Sequence, residues 1–156
     1  MEQGQEPQFK QIIRQINSNL VRYVVIGRQA VVLYGAPVTS FDYDLWVSPE
    51  DRNKMFDILE ENGFEASSES NDKRPLVTFV NDLMKIDIFF VKAFGRRINF
   101  DQCLINAVVV KDKGSDFFIR LASPDDLIKL KSFREPLRAK DKEDIAYLKK
   151  LKNKRL

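Results

Sequence analysis

The chain has 156 residues, a formal net charge of +3, 44% apolar residues and 31% charged residues. This composition is typical of a folded globular protein and excludes a largely disordered chain. The sequence contains no histidine and one cysteine, Cys103. Histidine-dependent serine or cysteine nucleophiles, histidine zinc sites and intrachain disulfides are therefore excluded. We expect Cys103 to be a small core side chain.

The apolar runs, the N-terminal residues and the cysteine content predict the cellular location of the protein. The longest apolar runs, over 23–26 and 86–91, are far too short to cross a bilayer. The chain opens Met-Glu-Gln-Gly-Gln-Glu, without a basic region or an apolar stretch, so we expect no signal peptide. A single cysteine suits a reducing compartment. These features predict a cytoplasmic protein that makes no membrane contact.

The first elements form a helix, a strand and a second helix. Apolar residues recur at helical spacing over 7–20 and predict an amphipathic helix. The run over 21–26 is rich in β-branched and aromatic residues and ends at Gly27, which predicts a buried strand. The segment 29–34 continues to Gly35, which we expect to end a short helix.

A second strand and a third helix follow. The strand is predicted over 40–47 and ends at Ser48. Ser48 as N-cap and Pro49 at the first helical position predict a helix start. That helix is expected to end at Asn62-Gly63, before a polar loop over 66–74.

The second half contains two predicted hairpins and two predicted helices. We expect the strands of the first hairpin over 76–80 and 85–91, a short helix at 99–106, and the strands of the second hairpin over 108–110 and 117–121. Ser123 repeats the N-cap pattern and starts a helix to about 133, and a last helix spans about 139–152. The class is α+β: a mixed sheet with flanking helices and a C-terminal helical pair. We expect a single domain over 1–156, with a core at about 10–121 and C-terminal helices at about 123–152.

Two aspartates stand out in Phe41-Asp42-Tyr43-Asp44-Leu45. Because side chains alternate along a strand, Asp42 and Asp44 would share one face of the predicted strand. Two such close carboxylates repel each other unless a cation or proton intervenes, and their hard oxygens suit Mg²⁺ or Mn²⁺. Two aspartates on a solvated sheet face are the alternative.

A third aspartate, Asp87, lies in an otherwise almost wholly apolar predicted strand. A carboxylate there needs a partner, because burying an unpaired charge is costly. That partner could be a cation such as Lys85. Alternatively, Asp87 could join Asp42 and Asp44 in holding two metal ions for phosphoryl or nucleotidyl transfer.

The order of these residues, with Gly27 first, resembles the nucleotidyltransferase superfamily of DNA polymerase beta type. The likeness covers about residues 10–151 and is strongest over 23–47. It is closest to small prokaryotic predicted nucleotidyltransferases, including those of abortive-infection and toxin–antitoxin systems. In that family a strand ends in Gly-Gly or Gly-Ser and opens a helix that contacts nucleotide phosphates. An Asp-x-Asp pair and a later carboxylate follow, as Asp42, Asp44 and Asp87 do here.

The resemblance implies an enzyme that moves a nucleoside monophosphate from a nucleoside triphosphate to a hydroxyl. Asp42, Asp44 and Asp87 would be catalytic and would bind Mg²⁺ or Mn²⁺. Gly27, Arg28, Thr39 and Ser40 would contact the nucleotide, for example ATP. The acceptor could be an RNA end, a small molecule or a protein, and a homodimer or a partner protein could complete the cleft.

Arg28 departs from the family pattern, which has a second small residue at this position. Its side chain would either crowd the phosphate or contact it through the guanidinium. Together with the basic stretch over 149–155, Arg28 favours the alternative function. That alternative is a catalytically impaired nucleotidyltransferase-like module that serves as an antitoxin or binds RNA.

The sequence also predicts positions and partners for charged residues of the C-terminal region. We expect Lys131, Arg138 and Lys140 to line the cleft opposite the carboxylates, although a solvated helix face would explain them about as well. Asp141 and Asp144 are expected to pair with neighbouring lysines along the last helix.

Overall fold

The computed structural model describes residues 4–133 and 136–154, so Arg155 of the basic stretch lies outside the described residues. The helices of this part are α1 (Gln5–Ser18), α2 (Gly27–Leu33), α3 (Arg52–Glu61), α4 (Phe100–Asn106), α5 (Pro124–Lys131) and α6 (Ala139–Lys154). The strands are β1 (Tyr23–Ile26), β2 (Tyr43–Val47), β3 (Glu65–Ala66), β4 (Leu76–Val80), β5 (Lys85–Phe89), β6 (Ala93–Phe94), β7 (Ile98–Asn99), β8 (Val108–Lys111) and β9 (Phe118–Leu121). None of the described helices is long and apolar enough to cross a membrane.

Seven of these strands form one mixed sheet in the order β3-β4-β5-β2-β1-β9-β8. The central strand β2 runs antiparallel to β1 and parallel to β5. The hairpins β4–β5 and β8–β9 extend the sheet on either side. The prediction of an α+β fold with a mixed sheet and a C-terminal helical pair is confirmed.

The central strands carry the core because their side chains are covered on both faces. All four residues of β1 are buried, as are four of the five in β2. Tyr43 packs against Phe9 of α1, with ring centroids 4.5 Å apart. Trp46 is fully buried, and its indole Nε1–H donates to the carbonyl of Val91 at 2.8 Å. Cys103 is also fully buried, as predicted, and burial raises the pKa of its thiol to about 12.

Three local predictions differ from the structure. Strand β2 begins at Tyr43, so Asp42 precedes the strand instead of lying within it. Ser48 makes no side-chain cap; a 3₁₀ turn over Pro49–Asp51 comes first, and α3 begins at Arg52. The short β6–β7 pair was not predicted.

A single arginine organises the polar loop over 66–74. Arg52 is buried, and its guanidinium lies over the rings of Phe56 and Phe90. It donates hydrogen bonds to four main-chain carbonyls of the loop, those of Glu69, Ser70, Asp72 and Arg74. Burial lowers the pKa of Arg52, and the nearby Asp72 carboxylate opposes that effect. The loop therefore takes its shape from contacts between one side chain and its backbone.

Candidate functional site

The three aspartates singled out in the sequence lie at neighbouring positions of the sheet. Asp44 on β2 is paired in register with Asp87 on the parallel neighbour β5. Paired residues of adjacent strands point to the same face, so these two carboxylates lie side by side. Asp42 lies two residues before Asp44, just outside the strand, with its side chain 56% exposed.

Gly27 lies against the Asp44 carboxylate at a position where a larger side chain would clash. It opens α2 directly after β1 and has a φ of +71°, a conformation that favours glycine. A β-carbon at this position would lie 2.4 Å from Oδ2 of Asp44. The carboxylate therefore occupies the space that any larger residue at position 27 would need.

The electrostatic environment of Asp44 disfavours its ionised form. Burial is the main cause, and the nearby carboxylates of Asp87 and Asp42 add to it, raising the pKa of Asp44 from 3.8 to about 6. The cations Lys131 and Lys85 oppose this rise only in part. A cation bound between the carboxylates would remove this repulsion.

The other two aspartates have partners. Thr78 on β4 donates its hydroxyl to Oδ1 of Asp87 at 2.6 Å. Lys85 Nζ lies 3.8 Å from Oδ2 of Asp87, so the cation considered from the sequence is present, at a long distance. Lys140 Nζ lies 4.0 Å from Oδ2 of Asp42. The Thr78 contact was missed because cross-strand neighbours become apparent only once strand register is known.

Arg28 links α2 to the C-terminal helices. Its guanidinium donates to Oδ1 of Asp144 and to Oε1 of Glu143, both at 3.2 Å, and to the carbonyl of Thr39 at 3.1 Å. Lys131 Nζ lies 3.0 Å from the other oxygen of Asp144. The prediction that Asp144 pairs with lysines of its own helix is therefore wrong; its partners come from α2 and α5. Asp141 pairs with Arg138, three residues before it.

A cleft of about 540 Å³ lies in front of Asp42 and Asp44. Its basic lining consists of Arg28, Lys131, Arg138 and Lys140. The last three line the cleft, as expected from the sequence, but Lys140 lies beside Asp42 and not opposite it. Apolar side chains complete the cleft: Phe89, Phe94, Leu127, Leu130 and Phe133. The cleft thus combines carboxylates, cations and an apolar wall.

Thr39 and Ser40 do not line this cleft. Both contribute to a neighbouring cavity on the side of Tyr43. The Ser40 hydroxyl exchanges hydrogen bonds with the backbone of Asp42, accepting from its N–H at 3.2 Å and donating to its carbonyl at 3.1 Å. This local contact shapes the turn that leads to Asp42.

The donor chemistry at the sheet suits a hard divalent cation. Asp42, Asp44 and Asp87 supply carboxylate oxygens, and burial together with the other two carboxylates raises the pKa of Asp44. Among residues 4–133 and 136–154, no three carboxylate or cysteine side chains converge as a ready-made metal cage. The observed side-chain orientations are those in which Asp42 and Asp87 face their own cations.

Solved structures share this architecture. The lincosamide antibiotic adenylyltransferase LnuA, bound to lincomycin, matches with a TM-score of 0.69 and 18% identity, over 95% of this chain and 98% of its own. ANT(2'')-Ia, in complex with adenylyl-2''-tobramycin, matches with a TM-score of 0.65 and 13% identity, over 92% and 87%. The chain has the nucleotidyltransferase fold.

A nucleotidyltransferase-like protein from Paracoccidioides brasiliensis also shares the fold, with a TM-score of 0.65, 18% identity, and coverage of 94% of this chain and 75% of its own. No protein-family model matches the chain, and no curated protein matches it in sequence. The likeness is therefore one of fold, and the assignment of function depends on the residues of the site.

Proposed function

We propose that this protein is a divalent-metal-dependent nucleotidyltransferase that moves a nucleoside monophosphate from a nucleoside triphosphate to a hydroxyl group. The observation that carries the proposal is the cleft lined by Gly27, Asp42 and Asp44, with Asp87 paired in register beside Asp44 on the neighbouring strand although it does not line the cleft itself. The fold, shared with enzymes that adenylate antibiotics, supports the same reaction class.

In this reaction the acceptor oxygen attacks the α-phosphorus. A new P–O bond forms, the bond to the β-phosphate oxygen breaks, and pyrophosphate leaves. The acceptor hydroxyl gives its proton to Asp87, the carboxylate assigned to activate it, which accepts a hydrogen bond from the Thr78 hydroxyl. Arg138 and Lys140, which are partly exposed at the cleft, are the cations assigned to the phosphates, whereas Lys131 is held by Asp144.

Asp42, Asp44 and Asp87 are the residues that would hold Mg²⁺ or Mn²⁺. Such an ion neutralises phosphate charge and orients the reacting oxygens. Gly27 leaves the space that the Asp44 carboxylate occupies. Arg28 is engaged by Asp144 and Glu143, so we assign it the role of joining α2 to α6, near the phosphates.

The acceptor that we propose to test first is a small hydroxylated molecule. A cleft of about 540 Å³ is within the range of small-molecule sites, and its wall of phenylalanine and leucine side chains suits an apolar scaffold. RNA ends and protein hydroxyls are the other acceptor classes. A second copy of the chain or a partner protein would complete the open side of the cleft.

The test is transfer of label from each α-labelled nucleoside triphosphate, with Mg²⁺, to lincomycin, tobramycin, cellular RNA and cellular protein. We expect transfer by the wild type and a loss of about 100-fold or more in Asp42→Asn, because that change removes a carboxylate from the site of charge neutralisation. Asp57→Asn, on the exposed face of α3, is the matched control and should transfer as the wild type does.

Two outcomes separate the hypotheses. Absence of Asp42-dependent transfer, together with absence of Mg²⁺-dependent nucleotide binding, would refute the proposal. Nucleotide binding that depends on Asp42 without transfer to any acceptor would instead support the non-catalytic module. Binding is therefore measured by calorimetry on the same three proteins.

A further inference from the structure

The guanidinium of Arg28 connects α2 to the segment that leads to Asp42. Arg28 is the second residue of α2 and follows Gly27, the residue that lies against the Asp44 carboxylate. Its Nε–H donates to the carbonyl of Thr39 at 3.1 Å, three residues before Asp42. One side chain therefore links the helix beside Asp44 with the segment that ends at Asp42.

The same guanidinium is anchored to the last helix. It donates to Oδ1 of Asp144 and to Oε1 of Glu143, both at 3.2 Å, and both acceptors belong to α6. Lys140, about one turn earlier in α6, has its Nζ 4.0 Å from Oδ2 of Asp42. Asp42 thus lies where the segment before β2 meets α6, and Arg28 holds these two parts of the chain together.

The anchor of Arg28 is more firmly held than the segment that it contacts. The side chain of Asp144 is 2% exposed, and its second oxygen lies 3.0 Å from Nζ of Lys131 on α5. The side chain of Asp42 is 56% exposed, and its backbone lies before β2, outside the paired strand. The bond from Arg28 to the Thr39 carbonyl therefore gives an exposed segment a fixed point on the buried ion pair.

The charges around Arg28 indicate a connecting role and leave no surplus for a phosphate. Two cations, Arg28 and Lys131, face two carboxylates, Glu143 and Asp144, so the cluster is neutral as a whole. The Arg28 side chain lines the cleft but is only 17% exposed. A guanidinium is planar and its N–H groups have fixed directions, so contacts to three acceptors fix the positions of those acceptors relative to one another.

We propose that Arg28 is a positioning residue that holds the segment before β2, through the Thr39 carbonyl, so that the Asp42 carboxylate stays beside Asp44. The inference rests on the proposed function, since these carboxylates are among those assigned to hold the divalent cation. Loss of a group that orients a metal ligand weakens metal affinity by about 10-fold or more. Arg28 would act on the metal through the backbone, without touching the metal or the nucleotide.

The test measures Mg²⁺ affinity by calorimetry on the full chain, without nucleotide. Arg28→Gln removes the charge and the planar fork, whereas Arg28→Lys keeps the charge on a single nitrogen that cannot reproduce the fork. We expect both variants to bind Mg²⁺ about 10-fold more weakly than the wild type. An effect of charge alone has the opposite sign in Arg28→Gln, because loss of a nearby positive charge strengthens the attraction of a cation.

Lys131→Met is the matched control for stability. It removes the other cation that pairs with Asp144, at a side chain 9% exposed, and leaves the bond from Arg28 to Thr39 in place. Stability towards urea should fall in this variant as in the Arg28 variants, since each loses a charge of the same buried cluster. Its Mg²⁺ affinity should equal or exceed that of the wild type, because the charge of Lys131 acts on Asp44 and opposes a bound cation.

A second measurement follows the segment itself. Backbone amide order parameters of residues 39–42, measured on the metal-free ¹⁵N-labelled chain, should fall in both Arg28 variants and keep their wild-type values in Lys131→Met. This measurement requires neither metal nor nucleotide. If the wild type binds no Mg²⁺, the metal site of the proposed function fails, while the order parameters still decide whether Arg28 holds the segment.

Four results would overturn the proposal. The first is wild-type Mg²⁺ affinity in Arg28→Lys. The second is an equal loss of Mg²⁺ affinity in Lys131→Met and Arg28→Gln, which would trace the effect to general destabilisation. The third is unchanged order parameters over 39–42 in the Arg28 variants. The fourth is weaker nucleotide binding in Arg28→Gln with Mg²⁺ affinity retained, which would identify Arg28 as a phosphate contact.

Discussion

Two aspartates on either side of the cleft have opposite environments. Asp144 on α6 has its side chain 2% exposed and is held by two cations, Arg28 at 3.2 Å and Lys131 at 3.0 Å. Asp44 on β2 is partly buried, and the carboxylates of Asp87 and Asp42 raise its pKa further than burial alone does. The protein's own cations neutralise the Asp144 carboxylate, whereas the Asp44 carboxylate lies among other carboxylates.

The difference separates a structural charge from one available for chemistry. A buried ion pair with both partners in place holds elements together, and here it joins α2, α5 and α6. A buried carboxylate surrounded by like charges destabilises the protein unless an external cation arrives. The chain therefore provides the positive charge for Asp144 from its own side chains, whereas Asp44 depends on a ligand for it.

Removal of the Asp144 carboxylate should have the largest effect on stability. Asp144→Ala would remove the carboxylate partner of Lys131, which is 9% exposed, and would leave Arg28 with only Glu143 and the Thr39 carbonyl. We expect a loss of about 3–5 kcal/mol in the free energy of unfolding, measured by urea denaturation. Glu143→Gln, which touches the same arginine at a side chain 58% exposed, should cost no more than about 1 kcal/mol. Equal losses in the two variants would contradict the structural role of Asp144.

Removal of the Asp44 carboxylate should instead increase the free energy of unfolding. A rise in its pKa from 3.8 to about 6 corresponds to about 3 kcal/mol of destabilisation when the group is ionised. Asp44→Asn should therefore be more stable than the wild type by about 2–3 kcal/mol at pH 8. The control Asp57→Asn, at an exposed site, should leave the free energy of unfolding unchanged.

The stability difference between Asp44→Asn and the wild type should increase with pH. Below pH 3.8 the carboxyl group is protonated in both the folded and the unfolded chain, so the cost of burying its charge is absent. The cost grows as the pH rises from about 4 to about 6 and is complete above that range. Denaturation curves at pH 4 and pH 8 should thus show a small Asp44→Asn advantage at pH 4 and the full advantage at pH 8. Added Mg²⁺ should stabilise the wild type at pH 8 and leave Asp44→Asn unchanged.

Substitution of Gly27 tests the contact that confines the Asp44 carboxylate. Gly27→Ala places a side chain in a backbone conformation with φ of +71°, which alone costs about 1–2 kcal/mol. The clash with Oδ2 of Asp44 should add to that cost. In an Asp44→Ala background only the backbone cost should remain, so a double-mutant cycle measures the difference. A cost that is the same in both backgrounds would rule out the contact.

The smallest effect on stability is expected at Thr78. Thr78→Val removes the hydroxyl donor of Asp87 and should cost about 1 kcal/mol of stability, because the site is partly exposed. The informative measurement is Mg²⁺ affinity by calorimetry, since loss of a group that orients a metal ligand weakens affinity about 10-fold. Thr78→Ser, which keeps the hydroxyl, should restore the affinity. Unchanged affinity in Thr78→Val would remove Thr78 as a positioning residue.

The elements that the sequence predicted well are those with local causes. The β-branched run before Gly27 produced β1, and Ser123 caps α5 by accepting from the N–H of Asp126. Ser48 had the same pattern without the same outcome: the N–H of Asp51 donates to the Ser48 carbonyl at 2.9 Å, and the Asp51 carboxylate accepts from the backbone N–H and the guanidinium of Arg22. The competing partner is 29 residues away in the chain, so no local pattern reveals it.

The features of the site also divide into those with a local cause in the sequence and those that depend on contacts between distant residues. Asp44 and Asp87 could be selected from the sequence because a carboxylate in an apolar strand requires an explanation. Their adjacency depends on the parallel register of β2 and β5, which sequence spacing does not specify. Arg28 was expected to face phosphate, whereas its guanidinium reaches residues more than 110 positions away. Pairings between helices distant in sequence are decided by packing, and periodicity carries no information about them.

The contacts of Arg52 also make the protein convenient to label. Because the loop over 66–74 is held through its main-chain carbonyls, its outward side chains can be exchanged without altering its shape. Asn71 is exposed within that loop, and Cys103 is buried with a thiol pKa of about 12, so it remains unreactive at neutral pH. An Asn71→Cys variant would therefore accept a fluorophore at a single position, far along the sheet order from the edge strand β8.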